Sequence, residues 1–136
     1  MTSSDSPVYE AVTQGVAVRV VVSFLPQQSD PPNRWFWAYM VEIENLGERT
    51  VQLVSRRWTI TDALGRSEEV QGLGVVGEQP ILRPGEKHQY TSGCPLPTPS
   101  GAMAGSYRML VDGGEPFDAE IPAFSLELPG ARAVLN

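Results

Sequence analysis

The 136-residue chain has one cysteine and one histidine, and that scarcity removes whole classes of chemistry. A lone Cys94 closes no disulfide within the chain, which leaves a reduced thiol and the expectation of a cytoplasmic setting. A zinc site asks for about four nitrogen or sulfur ligands, and His88 and Cys94 do not make such a set. Any Ser-His or Cys-His catalysis must use His88. No G-x-S-x-G elbow marks a nucleophile, so the expectation is a non-enzyme with no catalytic residue and no metal ligand. His88 reads as a solvent-facing strand residue and Cys94 as a small packing residue. No apolar run approaches the roughly 20 residues of a bilayer-spanning helix. Met1–Pro7 lacks the basic and apolar regions of a signal peptide, and no membrane insertion is expected. Positive charge is short as well: ten Lys and Arg against sixteen Asp and Glu leave a net charge of −6. That balance disfavours nucleic acid as a partner. The one basic doublet, Arg56-Arg57, reads as a solvated strand face.

What the chain has in quantity is alternation. Val16, Val18, Val20, Val22 and Phe24 recur with a period of two and alternate with Ala17, Arg19, Val21, Ser23 and Leu25, the mark of a strand whose second face is also partly apolar. Trp35, Trp37, Tyr39, Val41 and Ile43 form the strongest such face, with the two tryptophans read as packing. Within Thr50–Thr61 the parity of Val51 and Leu53 gives way to that of Val54, Trp58 and Ile60. This slip predicts a β-bulge near Val54-Ser55. Further strands are expected at Ser67–Val70, at Lys87–Ser92, from Tyr107 to Val111, and after Phe117, the last bent or split at Pro122. Pro84-Gly85 fits a type II turn, and Pro95–Gly105 reads as a stiff loop. No segment holds a helical period. The sum is an all-β domain, an antiparallel β-sandwich of about seven to eight strands. The run Leu82-Arg83-Pro84-Gly85-Glu86 before Tyr90 resembles a corner of fibronectin type III-like (immunoglobulin-like) sandwiches. Residues 8–128 form the domain, with flexible tails at 1–7 and 129–136.

Chemistry concentrates in one stretch. Gly72-Leu73-Gly74-Val75-Val76-Gly77 satisfies G-x-G-x-x-G, but Pro80 follows closely and no helix or βαβ unit is there to meet a pyrophosphate. Two readings stay open. The glycines supply positive φ and close approach, or successive backbone N–H groups form a nest for an anion. In the second reading Gly72, Gly74 and Gly77 hold the ligand and Arg83 or Lys87 balances its charge. Glu42 with Glu44 and the doublet Glu68-Glu69 lack the spacing of a calcium loop.

Several runs together carry a family resemblance: Trp58–Asp62, Val70–Pro80, Leu82–Glu86, Tyr90–Leu96, Thr98–Met103 with Gly105–Tyr107, and Ile121–Phe124. Over roughly residues 8–128 the chain resembles the bacterial ApaG family. The resemblance implies a fibronectin type III-like sandwich and an association with cobalt and magnesium homeostasis. It also implies a binding module, because the same domain occurs in eukaryotic adaptor-like proteins. The family name derives from a neighbouring diadenosine tetraphosphate hydrolase, which suggests a (pyro)phosphate or dinucleoside polyphosphate, with or without a divalent metal, for the glycine loop. It supplies no catalytic residues and no cofactor. The leading expectation is a protein-interaction module, with an exposed apolar patch around the glycine and proline-rich loops, or a homodimer formed through an edge strand.

Overall fold

The computed structural model describes residues 7–129; apart from their innermost residues, Pro7 and Pro129, the expected tails lie outside that range. Nine strands follow in order: β1 (Tyr9–Thr13), β2 (Val16–Phe24), β3 (Trp35–Asn45), β4 (Val51–Asp62), β5 (Ser67–Leu73), β6 (Ile81–Leu82), β7 (Lys87–Leu96), β8 (Gly101–Val111) and β9 (Phe117–Leu126). They form two antiparallel sheets packed face to face, β1-β2-β3-β7 and β5-β4-β8-β9, with β6 following β5 along the same edge of β4. This is the antiparallel sandwich expected from alternation and turn spacing, in the fibronectin type III-like form that the corner and family resemblances imply.

The alternation does the work assigned to it. Trp37, Tyr39, Val41 and Ile43 are buried on the inner face of β3, and Val16, Val18 and Val20 on that of β2. The Trp58 ring meets Tyr39 at 5.3 Å and Phe124 at 5.9 Å between centroids, both edge-on, the geometry aromatic quadrupoles favour. The Trp37 indole N–H donates to Glu127 O at 2.9 Å. Buried Asn45 ties three segments together: its amide donates to Arg49 O and Leu82 O, and its Oδ1 accepts the Gly47 N–H. Pro84-Gly85 makes the expected turn, with Gly85 at φ 87° and Glu86 N–H donating to Arg83 O.

The β4 bulge falls where the parity slips, with the β4–β8 register shifting between Leu53 and Ser55. Three boundaries differ from expectation. β1 carries too weak an alternation to show as a strand; it pairs β2 through a turn at Gln14-Gly15, both at positive φ. β5 runs on through Gly72 to Leu73. The stiff loop shrinks to residues 97–100, because β7 continues through Pro95 to Leu96 and β8 begins at Gly101. Proline is tolerated there because β7 is an edge strand, whose outer side needs no donor.

The two sides of the sandwich differ. On one, β1 lies against β9, and Thr13 Oγ1 accepts the Glu120 N–H at 3.0 Å. On the other, between β5 and β7, the sheets leave a cleft of about 340 Å³.

Candidate functional site

The glycine loop leaves β5 at the β4 bulge. Gly74 N–H donates to Val54 O at 2.8 Å, and the Gln79 side-chain amide reaches the same carbonyl at 2.9 Å. Val75 and Glu78 exchange both backbone hydrogen bonds, at 2.8 and 3.0 Å, around a two-residue turn in which Val76 has φ 46° and Gly77 φ 80°. This is a type I′ hairpin, the turn that normally carries Asn-Gly. Val75 is buried in the core, whereas Val76 is 65% exposed. A β-branched residue at positive φ is strained, and here the strain holds an apolar side chain out in water. Leu73 and Ile81, on the same edge of β4, are also exposed, as is Leu110, which faces Ile81 across Gln52. Exposed apolar side chains thus flank the glycine loop at both of its ends, at Leu73 and at Ile81 with Leu110, and form its apolar rim. No large apolar side chain of residues 95–105 is among the exposed ones.

The loop's N–H groups are largely committed. Those of Gly74, Val75 and Glu78 donate within the protein, which leaves at most the hairpin-tip pair Val76 and Gly77 for an anion nest. Gly74 stands at φ 63°, and a Cβ on it would lie 2.3 Å from Glu78 O. Substituting it therefore breaks the loop and cannot report on a ligand alone. Gly72 makes room for the Arg56 guanidinium, which a Cβ would meet at 2.8 Å. The five residues grouped by sequence do not form one site. Arg83 sits exposed at the Pro84-Gly85 turn, its backbone N–H donating to Glu86 Oε1. Lys87 belongs to the other sheet, opposite Glu44, with its Nζ 3.9 Å from Glu42.

What sequence reasoning missed is Arg56. It lies between Gly72 and Tyr107 on the inner face of its sheet and lines the cleft with Tyr39, Trp58, Ile60, Val70 and Glu68. It is half-buried and donates through Nη1 to Leu73 O at 3.0 Å and Gly74 O at 2.9 Å. Arg57, by contrast, is exposed and pairs with Glu69 at 3.0 Å. The solvated-face reading holds for one member of the doublet and fails for the other. The signal was available: beyond the bulge, Arg56 shares the parity of Trp58 and Ile60. Behind it, the hydroxyls of Tyr90 and Tyr107 are hydrogen-bonded to each other. Burial raises both phenols above their ordinary range, and Arg56 opposes that shift.

His88 faces inward, half-buried beside Tyr90, rather than toward solvent. It shares its strand face with Cys94, but six residues of extended chain put them about 20 Å apart, too far for a dyad. Burial pushes the Cys94 thiol up to about 11, an unreactive packing thiol. Glu42 and Glu44 both bond Arg19, at 2.8 Å each. No three His, Cys, Asp or Glu side chains converge as metal ligands among the described residues, and no helix there is long and apolar enough to cross a membrane.

Comparison with known proteins gives one consistent result. The ApaG domain model matches residues 26–111. Protein ApaG of Caulobacter vibrioides is 57% identical over 134 residues, covering 98% of this chain and 96% of that one. Protein ApaG of Methylocella silvestris is 58% identical over 129 residues, covering 94% and 99%. The crystal structure of a Bordetella pertussis protein described as ApaA superposes with a TM-score of 0.81 at 47% identity, covering 90% of this chain and 98% of that one.

Proposed function

Because the chain belongs to the ApaG domain family, we propose that it is a non-catalytic binding module that docks a protein partner on the apolar rim of its glycine loop. The observation that carries this reading is Val76. A strained β-branched residue held exposed at a hairpin tip is stable only because the surrounding hydrogen bonds over-determine it, and such strain gathers at functional positions. Leu73, Ile81 and Leu110 extend the apolar surface around it, as interaction sites require. The loop is already closed by its own hydrogen bonds, so little ordering entropy is lost on docking.

The alternative occupant, a (pyro)phosphate or dinucleoside polyphosphate on the loop, finds few donors left there, since Gly74, Val75 and Glu78 are engaged. The family's association with cobalt and magnesium homeostasis we place in the partner, because Glu42 and Glu44 already share Arg19.

Crosslinking in cells, with wild type compared against Leu73→Ser/Ile81→Ser, tests the reading. Met40→Ser, an exposed apolar site on the other sheet, is the control. A partner captured by wild type and the control and lost with the rim variant is expected. Identical capture by all three proteins would remove the rim from consideration.

A further inference from the structure

The cleft between β5 and β7 holds a charge that the rim does not account for. Burying a cation between sheets is costly unless it is paired. Arg19, Arg57, Arg66 and Arg108 all have carboxylate partners. Arg56, half-buried, is in none of the ion pairs among the described residues, although Glu68 lines the same cleft. Its hydrogen bonds use Nη1 alone, on two neutral carbonyls. The remaining edge of the guanidinium, Nε and Nη2, has no acceptor among the described residues.

The walls indicate what could complete it. Tyr39, Trp58, Ile60, Val70 and Met103 are apolar or aromatic, and Ser92, Cys94 and Pro95 line the β7 side. A planar guanidinium fork at a cleft with aromatic and aliphatic walls matches a carboxylate geometrically. Glu68 at the cleft disfavours a more highly charged anion such as a phosphate, by like-charge repulsion. A volume of about 340 Å³ lies at the small end of ligand sites, enough for one ring or a branched chain.

We propose that this cleft is a binding site for a small organic carboxylate with an apolar body, held by the free edge of Arg56 and packed against Trp58 and Tyr39. The site meets the rim only through the Arg56 bonds to the Leu73 and Gly74 backbone carbonyls, its lining side chains are different, and its test does not use the partner. The probe is 3-phenylpropionate, titrated into labelled full-length protein and followed by amide and indole NMR. Its neutral control is 3-phenylpropionamide. Saturable shifts on Trp58, Val70, Ser92 and Gly93 are expected. The amide should bind at least about tenfold more weakly, the scale of a lost charge-assisted hydrogen bond.

Arg56→Gln should weaken the carboxylate by a similar factor. Because that change also frees the Leu73 and Gly74 carbonyls, Glu68→Gln supplies a second reading that leaves the loop intact, and it should tighten binding about twofold or more. An N-acetylated dipeptide ending in phenylalanine presents the same group on a chain end. Tighter binding than the free acid assigns the cleft to peptide termini, and weaker binding assigns it to metabolite-sized acids. Equal binding of acid and amide, no shift in the cleft at millimolar probe, or a Glu68→Gln protein with unchanged affinity would each overturn the proposal. The Leu73→Ser/Ile81→Ser protein should bind 3-phenylpropionate as wild type does, so failure of the rim and failure of the cleft are read separately.

Discussion

At the residue scale, Val76 and Arg56 carry the argument for opposite reasons. Val76 is apolar and stands in water at φ 46°; Arg56 is charged and turns inward. Val76 sits where Asn is the favoured residue of a type I′ turn, so Val76→Asn should relieve left-handed strain and raise stability by about 1 kcal/mol. If the rim docks a partner, the same change should weaken that binding. Chemical denaturation of the purified variant checks the first expectation and crosslinking the second. A variant that gains stability and keeps full binding would leave the strain without a function. How far each residue could be read depended on its neighbours. The glycines announced a loop by composition, yet the Gly74 N–H is committed to Val54 O and the Val75 N–H to Glu78 O. As the one local basic doublet, Arg56-Arg57 reads as a solvated strand face for both members. Alternation puts the two neighbours on opposite faces, and the bulge before them makes Arg56 the inward one.

At the element scale, the outer face of β2 and β3 is held by charge. Arg19 bonds Glu10 on β1 at 2.7 Å and Glu42 and Glu44 on β3 at 2.8 Å, so one guanidinium spans three strands. Its hydrogen bond holds the Glu42 carboxyl below its ordinary value of 4.5, against a smaller opposing effect of desolvation. A carboxyl depressed in the folded state stabilises the fold above its unfolded pKa, and that contribution is lost as pH falls through the lower folded value. The urea midpoint should therefore decline on acidification below about pH 4.5, and Arg19→Met should flatten that decline. An Arg19→Met protein with the wild-type acid profile would place the acid sensitivity elsewhere. The strands themselves were legible because a period of two is a local property. β1 and the end of β7 were not: β1 is short and weakly alternating, and prolines hide an edge strand well.

At the scale of the whole molecule, the two sides of the sandwich are built differently. The β1–β9 side is sealed, and the β5–β7 side is open, with both edges blunted. β5 carries Glu68-Glu69, and β7 carries Lys87 and Pro95, devices that discourage strand addition. A homodimer through β5 would bring the acidic pairs of two copies together. Sedimentation velocity should show a single concentration-independent species, and Glu69→Val should introduce concentration-dependent association. Wild-type dimerisation that persists in high salt would point instead to the apolar rim as a self-contact.

The sequence by itself determined the all-β sandwich, the bulge, the Pro84-Gly85 turn and the packing role of the β3 aromatics. Each follows from alternation, turn chemistry or volume, which act over a few neighbouring residues. The tertiary structure alone decided which edges meet and which stay apart, that the Gly74 amide serves Val54, and that Arg56 ends between the sheets. Those outcomes depend on hydrogen bonds and packing between strands distant in sequence, where a shift of one residue reverses the face a side chain occupies.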